Sequence, residues 1–292
     1  MPTKTALQKL ERIREEEEPK IRAIEEMTSV KITGAAAAAY SLSSTTTLRC
    51  LTCITQLGFQ PRNKFNGISK RFITTISMAS SHPLQVCVKS SVLTPNKLGD
   101  CPFCQRVLLT LEEKHLPYDM KLVDLTNKPE WFTKINPEGK VPVLKVDENW
   151  VPDSDVITKY LEEKYPNPPL ASPPEKSTVG SKIFPAFVGF LKNKEPSDEK
   201  EQELLNELNS FNDYLKENGP FISGENICAA DLSLGPKLYH MEIALGHYKR
   251  WSVPDSLSYV KSYMKSIFSR DSFVKTTASP EDVIAGWAKH MG

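Results

Sequence analysis

The chain is poor in cysteine, has no long apolar run and carries no concentration of basic charge, and each shortage excludes a class of protein. Six cysteines in 292 residues are too few for a secreted scaffold held by disulfides, which favours a reducing compartment for the folded part. No apolar run approaches the roughly 18 to 20 residues that cross a bilayer, so we expect no stable membrane insertion. From residue 78 onward acids slightly outnumber bases, and this balance argues against a nucleic-acid partner.

Acidic residues are absent from residues 27–77, where a few basic residues stand among many serines and threonines. This composition is typical of an organelle transit peptide, chloroplast more than mitochondrial, and the alternative is a disordered linker. Residues 1–26 carry a run of glutamates, and we interpret them as a disordered or artefactual charged extension. Translation from Met27 therefore predicts a chloroplast form and translation from Met78 a cytosolic one, whereas the acidic segment would impair targeting of a chain that begins at Met1.

Residues 78–166 show the alternation of an α/β domain. Strands are predicted at residues 84–90 and 118–125, and a β-hairpin turns around residues 147–149. Helices are also predicted, one that begins at residue 102 and carries an apolar stripe to residue 111, and two at residues 129–135 and 154–164. The order β-α-β-α-β-β-α predicts one layered domain with a mixed sheet.

The second half of the chain has helical patterns only. Residues 167–175 are rich in proline and form the predicted linker. Beyond them, apolar residues recur at helical spacing in three groups. These groups are Leu204, Leu208, Phe211 and Leu215; Leu232, Leu238, Met241 and Leu245; and Leu257, Val260, Met264 and Ile267. Residues 176–292 are therefore predicted to form an all-α domain.

The stretch "CPFC" places two cysteines at the start of the first helix. Pro102 suits the first helical position, which makes Cys101 the N-cap. A sulfur there faces free N–H groups and the positive end of the helix dipole, and both favour the thiolate. Cys104 lies instead on an apolar stripe with Val107 and Leu108, where burial favours the neutral thiol. We therefore predict one reactive sulfur and one less accessible sulfur.

A low pKa serves Cys101 chiefly as a leaving group. Lowering the pKa raises the thiolate fraction but reduces the intrinsic nucleophilicity, so that attack gains little. Departure of the thiolate from a disulfide gains more, which suits a cysteine that passes a mixed disulfide to an external thiol. A zinc site would need Cys50 and Cys53 as its other half, and no histidine follows at a matching interval, so we expect no metal. Cys87 is interpreted as a packing residue of the first strand.

Two later motifs, "GKVPVL" and "DSD", together with the thiol helix resemble the thioredoxin-like domain of the glutathione transferase superfamily. The resemblance implies a cis peptide bond before Pro142 and a Val141 backbone that pairs with glutathione. It also implies that Ser154 and the helix N–H groups receive the γ-glutamyl carboxylate, and that Asp153 receives the ammonium. An ordinary helix cap at Asp153 and Ser154 is the alternative.

Longer motifs, among them "NPEGKVPVLK", "LEEKYPNPPL" and "AADLSLGPKLYHMEIALGHYK", resemble the plant dehydroascorbate reductases from residue 84 to about 287. The resemblance implies glutathione-dependent reduction of dehydroascorbate, with glutathione as co-substrate, no bound cofactor and a monomeric enzyme. Cys101 would be the nucleophile, and Cys104 an optional resolving thiol because the family often has serine there. The remaining implied contacts are Lys89 and Asp100 with both substrates, Lys128 with glutathione, and His240 and Trp287 with ascorbate.

Several alternatives stay open at this point. Lys128 would otherwise be a surface lysine, His240 a core histidine and Trp287 an anchor for the chain end. Cys228 with Asp231 is a weaker N-cap than the serine or threonine usual in the family, at a cost of about 1 kcal/mol. The rival functions are a thiol transferase of glutaredoxin or omega type and a non-catalytic protein similar to the intracellular chloride channel proteins.

Overall fold

A computed structural model describes residues 83–194 and 199–291. The predictions for residues 1–26, for residues 27–77 and for the pair Cys50 and Cys53 lie outside these ranges. The predicted fold class is confirmed, since an α/β layer with a mixed sheet is followed by helices alone.

The sheet has four strands in the order β2-β1-β3-β4. Strand β1 pairs with β2 in parallel and with β3 antiparallel, and β3 and β4 form the predicted hairpin. The elements are β1 (Leu84–Lys89), α1 (Pro102–Glu113), β2 (Tyr118–Val123), α2 (Glu130–Ile135), β3 (Val143–Val146), β4 (Asn149–Pro152) and α3 (Ser154–Lys164). The second strand ends two residues earlier than predicted, and Ser90 makes only an isolated bridge to Leu98.

Both faces of the sheet are covered. On one face the stripe of α1 packs with α3 into a core that includes Val86, Cys104, Val107 and Leu108. On the other face Cys87 packs with residues of β2, β3 and α2. Burial raises the pKa of the Cys87 thiol to about 11, so this cysteine is a neutral packing residue at physiological pH.

A 3₁₀ turn (Pro174–Lys176) and six helices follow α3 in the part of the chain that the structure describes. The helices are α4 (Ile183–Lys192), α5 (Glu199–Asn218), α6 (Ala229–Lys249), α7 (Ser258–Phe268), α8 (Asp271–Thr276) and α9 (Pro280–Met291). The three apolar groups of the sequence lie in α5, α6 and α7, except that Leu257 is the N-cap of α7. Helix α4, "IFPAFVGFLK", escapes pattern analysis because it has almost no polar residues to mark a face.

The start of α6 is held more firmly than its sequence predicts. Cys228 is the N-cap, and its backbone N–H donates to Asp231 Oδ2 at 2.8 Å. The other oxygen of this fully buried carboxylate accepts hydrogen bonds from the Ile222 N–H and the Tyr263 hydroxyl. Asp231 therefore joins three segments of the helical region, whereas a surface cap would serve one.

Helix α1 belongs to both halves of the structure. Leu109 packs into the helical core, whereas Leu108 packs under the sheet. At the end of α1, Glu113 accepts two hydrogen bonds from Arg270, at 2.9 and 2.7 Å, and one from Ser272. These contacts fix the orientation of α1, and with it the position of the residue that begins the helix.

Candidate active site

Cys101 is the N-cap of α1, as predicted. Its sulfur accepts a hydrogen bond from the Cys104 N–H at 3.4 Å, and Pro102 occupies the first helical position. The side chain is partly exposed, whereas Cys104 is fully buried. The two cysteines of the motif therefore differ in access, and only Cys101 can meet a substrate.

The pKa values of the two thiols move in opposite directions. The pKa of Cys101 is lowered, chiefly by the hydrogen bond that the Cys104 thiol donates; burial opposes this effect, and two backbone N–H groups and the Lys89 charge add to it. The pKa of Cys104 is raised, first by burial and then by the thiolate that it faces. Cys104 is thus a protonated donor that stabilises the Cys101 thiolate.

A buried ion pair lies beside the thiol. Lys89, the last residue of β1, donates to Asp100 Oδ1 at 2.6 Å, and each of these two residues is 7% exposed. Burial raises the pKa of Asp100, and the lysine opposes that rise. Lys89 thus pairs with the acid that precedes the thiol, and its role toward substrates stays a prediction.

Helix α9 closes one side of this site. Gly286 packs so tightly that a Cβ atom there would lie 1.5 Å from Asp100 Oδ2. The next residue, Trp287, donates its indole N–H to His240 Nδ1 at 3.1 Å. One turn earlier, Asp282 accepts a hydrogen bond from Ser91, two residues beyond Lys89. The helix thus brings Trp287 and His240 next to the ion pair.

His240 is neutral at physiological pH. It is 3% exposed, and burial, followed by the Lys89 charge, lowers the pKa of the imidazole to about 3. Because Nδ1 accepts the indole hydrogen bond, the ring proton belongs on Nε2. His240 therefore carries no charge, and its Nε2–H is the ring's hydrogen-bond donor.

The two motifs that the resemblance assigns to glutathione lie just before β3 and at the start of α3. The peptide bond between Val141 and Pro142 is cis, as the resemblance implies. Asp153 is the N-cap of α3, and its Oδ1 accepts the N–H groups of Asp155 and Val156. The cap that was the alternative interpretation is therefore present, and it occupies N–H groups that were assigned to an anion. Ser154 is buried at the first helical position.

Arg106 is a residue of the site that the sequence patterns do not predict. Its guanidinium donates to the Ser154 hydroxyl at 3.4 Å and pairs with Asp155. The sequence carries no local signal for this contact, because Ser154 lies 48 residues further along the chain. Lys128, in contrast, is exposed and lies over Gly139, with Nζ 2.7 Å from the position of a Cβ there.

Among residues 83–194 and 199–291, no group of histidine, cysteine or acidic residues could hold a metal ion. No helix in the same ranges is long and apolar enough to cross a membrane.

The chain belongs to the glutathione S-transferase family. A model of the glutathione S-transferase N-terminal domain matches residues 100–164. The chain is 72% identical over 223 residues to glutathione S-transferase DHAR3, chloroplastic, of Arabidopsis thaliana, which covers 76% of this chain and 86% of the relative. It is 59% identical over 206 residues to the probable glutathione S-transferase DHAR1, cytosolic, of Oryza sativa subsp. japonica, covering 70% and 97% of the two chains.

Within that family these relatives place the chain in the DHAR group. A solved structure agrees with them. The dehydroascorbate reductase of Chlamydomonas reinhardtii matches with a TM-score of 0.64 and 38% sequence identity, over 71% of this chain and 98% of that one.

The hydrogen bond from Cys104 gives a first prediction. Cys104→Ala removes the donor, so we expect the pKa of Cys101 to rise and the pH midpoint of its alkylation by iodoacetamide to move to higher pH. Cys104→Ser keeps a hydroxyl donor and should keep the midpoint closer to that of the wild type. Mass spectrometry of the peptide that contains Cys101 distinguishes this thiol from the others. Identical midpoints for Cys104→Ala and the wild type would refute the assignment.

The contact between Gly286 and Asp100 gives a second prediction. A methyl group in Gly286→Ala must displace α9 or break the ion pair, and we expect the free energy of unfolding in urea to fall by about 1 to 3 kcal/mol. Gly246→Ala in α6 is the matched control, since the nearest atom to its Cβ position is 3.9 Å away. That change should be neutral or stabilise by about 0.5 to 1 kcal/mol. Equal effects of the two substitutions would contradict the close packing.

Proposed function

We propose that this protein reduces dehydroascorbate to ascorbate with glutathione as the electron donor. The observation that carries the proposal is the partly exposed Cys101 at the N-terminus of α1, whose sulfur accepts the Cys104 N–H and whose pKa is lowered. The names of the DHAR relatives and of the Chlamydomonas structure support dehydroascorbate as the substrate over disulfides and over other carbonyl compounds.

The proposed cycle has three steps. The Cys101 thiolate adds to a carbonyl carbon of dehydroascorbate, and the resulting alkoxide takes a proton. A glutathione thiolate then attacks the Cys101 sulfur, the C–S bond breaks, and its electron pair leaves with ascorbate, so that a mixed disulfide remains on Cys101. A second glutathione thiolate attacks the glutathione sulfur of that disulfide and releases oxidised glutathione and the Cys101 thiolate. The two glutathione thiols supply the two protons and two electrons that ascorbate gains.

The residues around the thiol have separate roles in this proposal. Lys89 and Asp100 bind polar groups of both substrates, and Lys89 favours the anionic product. The Nε2–H of His240 donates to an oxygen of the dehydroascorbate ring, and Trp287 holds the imidazole in that tautomer. The enzyme is proposed to act as a monomer, as the resemblance to the plant dehydroascorbate reductases implies.

Glutathione is proposed to lie along the loop before β3 and the head of α3. The Val141 backbone would pair with the peptide, and the Ser154 hydroxyl would bind the γ-glutamyl carboxylate. Asp153 uses Oδ1 for its helix cap, which leaves Oδ2 for the ammonium. Lys128 would reach glutathione from its position over Gly139.

Appearance of ascorbate absorbance on mixing dehydroascorbate, glutathione and the protein tests the proposal. Cys101→Ser should reduce the enzymatic rate by roughly a thousandfold or more, since it removes the nucleophile. Cys104→Ser should keep much of the rate. The rival thiol transferase activity is assayed on the same preparation, with a mixed disulfide of a protein and glutathione as the substrate. Turnover of that disulfide without turnover of dehydroascorbate would favour the thiol transferase instead.

We also propose that the protein works in the chloroplast when translation starts at Met27. The composition of residues 27–77 and the relative named chloroplastic support this location, and the relative named cytosolic parallels a start at Met78. A fluorescent fusion that begins at Met27 should enter the chloroplast, and one that begins at Met78 should stay in the cytosol. A fusion that begins at Met1 should be imported poorly. Mitochondrial or dual location of the Met27 fusion would contradict the assignment.

A further inference from the structure

A cavity of about 670 Å³ lies between α1, α3 and the start of α6. Its walls expose more apolar than polar surface, and hydroxyl groups from four serines and two threonines are among the polar groups. These are Ser172, Ser177, Ser181, Ser233, Thr110 and Thr158. The volume falls within the range of pockets that hold small organic ligands, and Cys101 does not line it.

The cavity carries an excess of positive charge. Three cations, Arg106, Lys159 and Lys237, line it, with two acids, Asp155 and Glu162. Glu162 is already paired with the buried Lys114, 2.7 Å away, which does not line the cavity. Asp155 is paired with Arg106. The walls therefore offer Lys237 no unpaired carboxylate.

Lys237 is held over apolar surface. Its Nζ lies 5.9 Å from the ring centroid of Phe103 and 5.8 Å from that of Phe184, and it donates to the Ser233 hydroxyl at 3.1 Å. In the described residues no carboxylate lies within ion-pair distance of it. Burial, followed by the nearby Arg106 charge, lowers the pKa of Lys237, and the charge of Asp155 opposes this effect. A half-buried lysine near a second cation, without an acid of its own, is an arrangement that a bound anion would stabilise.

Arg106 supplies an independent observation on the facing wall. Only 13% of its side chain is exposed, and its Nε is buried with no hydrogen-bond partner. Buried polar atoms are nearly always satisfied, so an unpartnered guanidinium N–H marks Arg106 as a cation that its protein neighbours do not fully satisfy. An oxyanion between α1 and α6 would contact the exposed part of this guanidinium and offset the charge of Lys237.

We propose that this cavity binds a small organic anion, with a carboxylate or phosphate group between Lys237 and Arg106 and a hydroxyl-bearing body against the serines and threonines. The site is separate from the glutathione and dehydroascorbate positions proposed above, although it adjoins them through Arg106. The inference does not depend on the proposed reaction, because binding is measured without turnover.

Isothermal titration calorimetry of the wild-type chain tests the site with two probes, citrate for a carboxylate and glucose 6-phosphate for a phosphate ester. At least one probe should bind, and Lys237→Met should weaken it at least tenfold, since a charge-assisted hydrogen bond is lost. Methionine preserves the stem of the lysine on its two aromatic rings. Lys134→Met is the matched control, because it removes an equal charge from an exposed pair with Glu130 on α2, and it should leave binding unchanged.

The same titration at saturating S-methylglutathione separates the cavity from the glutathione position. Binding that persists supports a separate site, and binding that disappears overturns it. Amide chemical shifts of residues 229–233 in the wild type should move on titration, which keeps the test valid if Lys237→Met fails to fold. The proposal is also overturned if neither probe binds, or if Lys237→Met folds and binds as tightly as the wild type.

Discussion

The buried ion pair between Lys89 and Asp100 is the interaction around which the candidate site is organised. Burying either charge alone would cost several kcal/mol, so each requires the other to stay in place. Lys89 ends the first strand and Asp100 precedes the thiol, which means that the pair fixes the spacing between sheet and helix where the cysteine begins α1. The pair is also tightly covered, because only a glycine at position 286 allows α9 to approach Asp100 so closely. The contact between Lys89 and Asp100, covered by α9, thus sets the charge beside the thiol, fixes the spacing between β1 and α1, and keeps water from the pair.

Helix α9 makes the site depend on both halves of the chain. Asp282, Gly286 and Trp287 contact Ser91, Asp100 and His240, respectively. These partners come from the end of β1, the loop before α1 and the middle of α6. The thioredoxin-like layer therefore supplies the thiol and the ion pair, while the helical layer supplies the wall with the neutral imidazole. Neither layer alone forms the surroundings that a polar ring such as dehydroascorbate would meet.

Much of the fold could be predicted because its signals are local. The N-cap at Cys101 follows from Pro102, and the burial of Cys104 follows from helical spacing. The unpredicted parts depend on contacts between residues far apart in the chain. Nothing near Arg106 indicates that Ser154 will lie beside it, and Gly286 is unremarkable until Asp100 is known to face it. Helix α4 shows a second limit, since a segment that is apolar on all sides has no face for periodicity to detect.

Cys101 and Cys104 lie within one helical turn, but the first is a nucleophile and the second a hydrogen-bond donor. A hydrogen-bond donor to a thiolate must keep its own proton, and burial keeps the proton on Cys104 by raising its pKa. The same burial removes Cys104 from contact with external disulfides. Cys101 meanwhile receives the donor, the free N–H groups and the lysine charge, all of which make it a better leaving group. A serine hydroxyl could replace the buried Cys104 thiol as the donor, whereas only a sulfur could replace the exposed Cys101 as the nucleophile. The pair is therefore chemically a single working thiol with a built-in hydrogen-bond donor, and an external thiol such as glutathione is needed to complete its cycle.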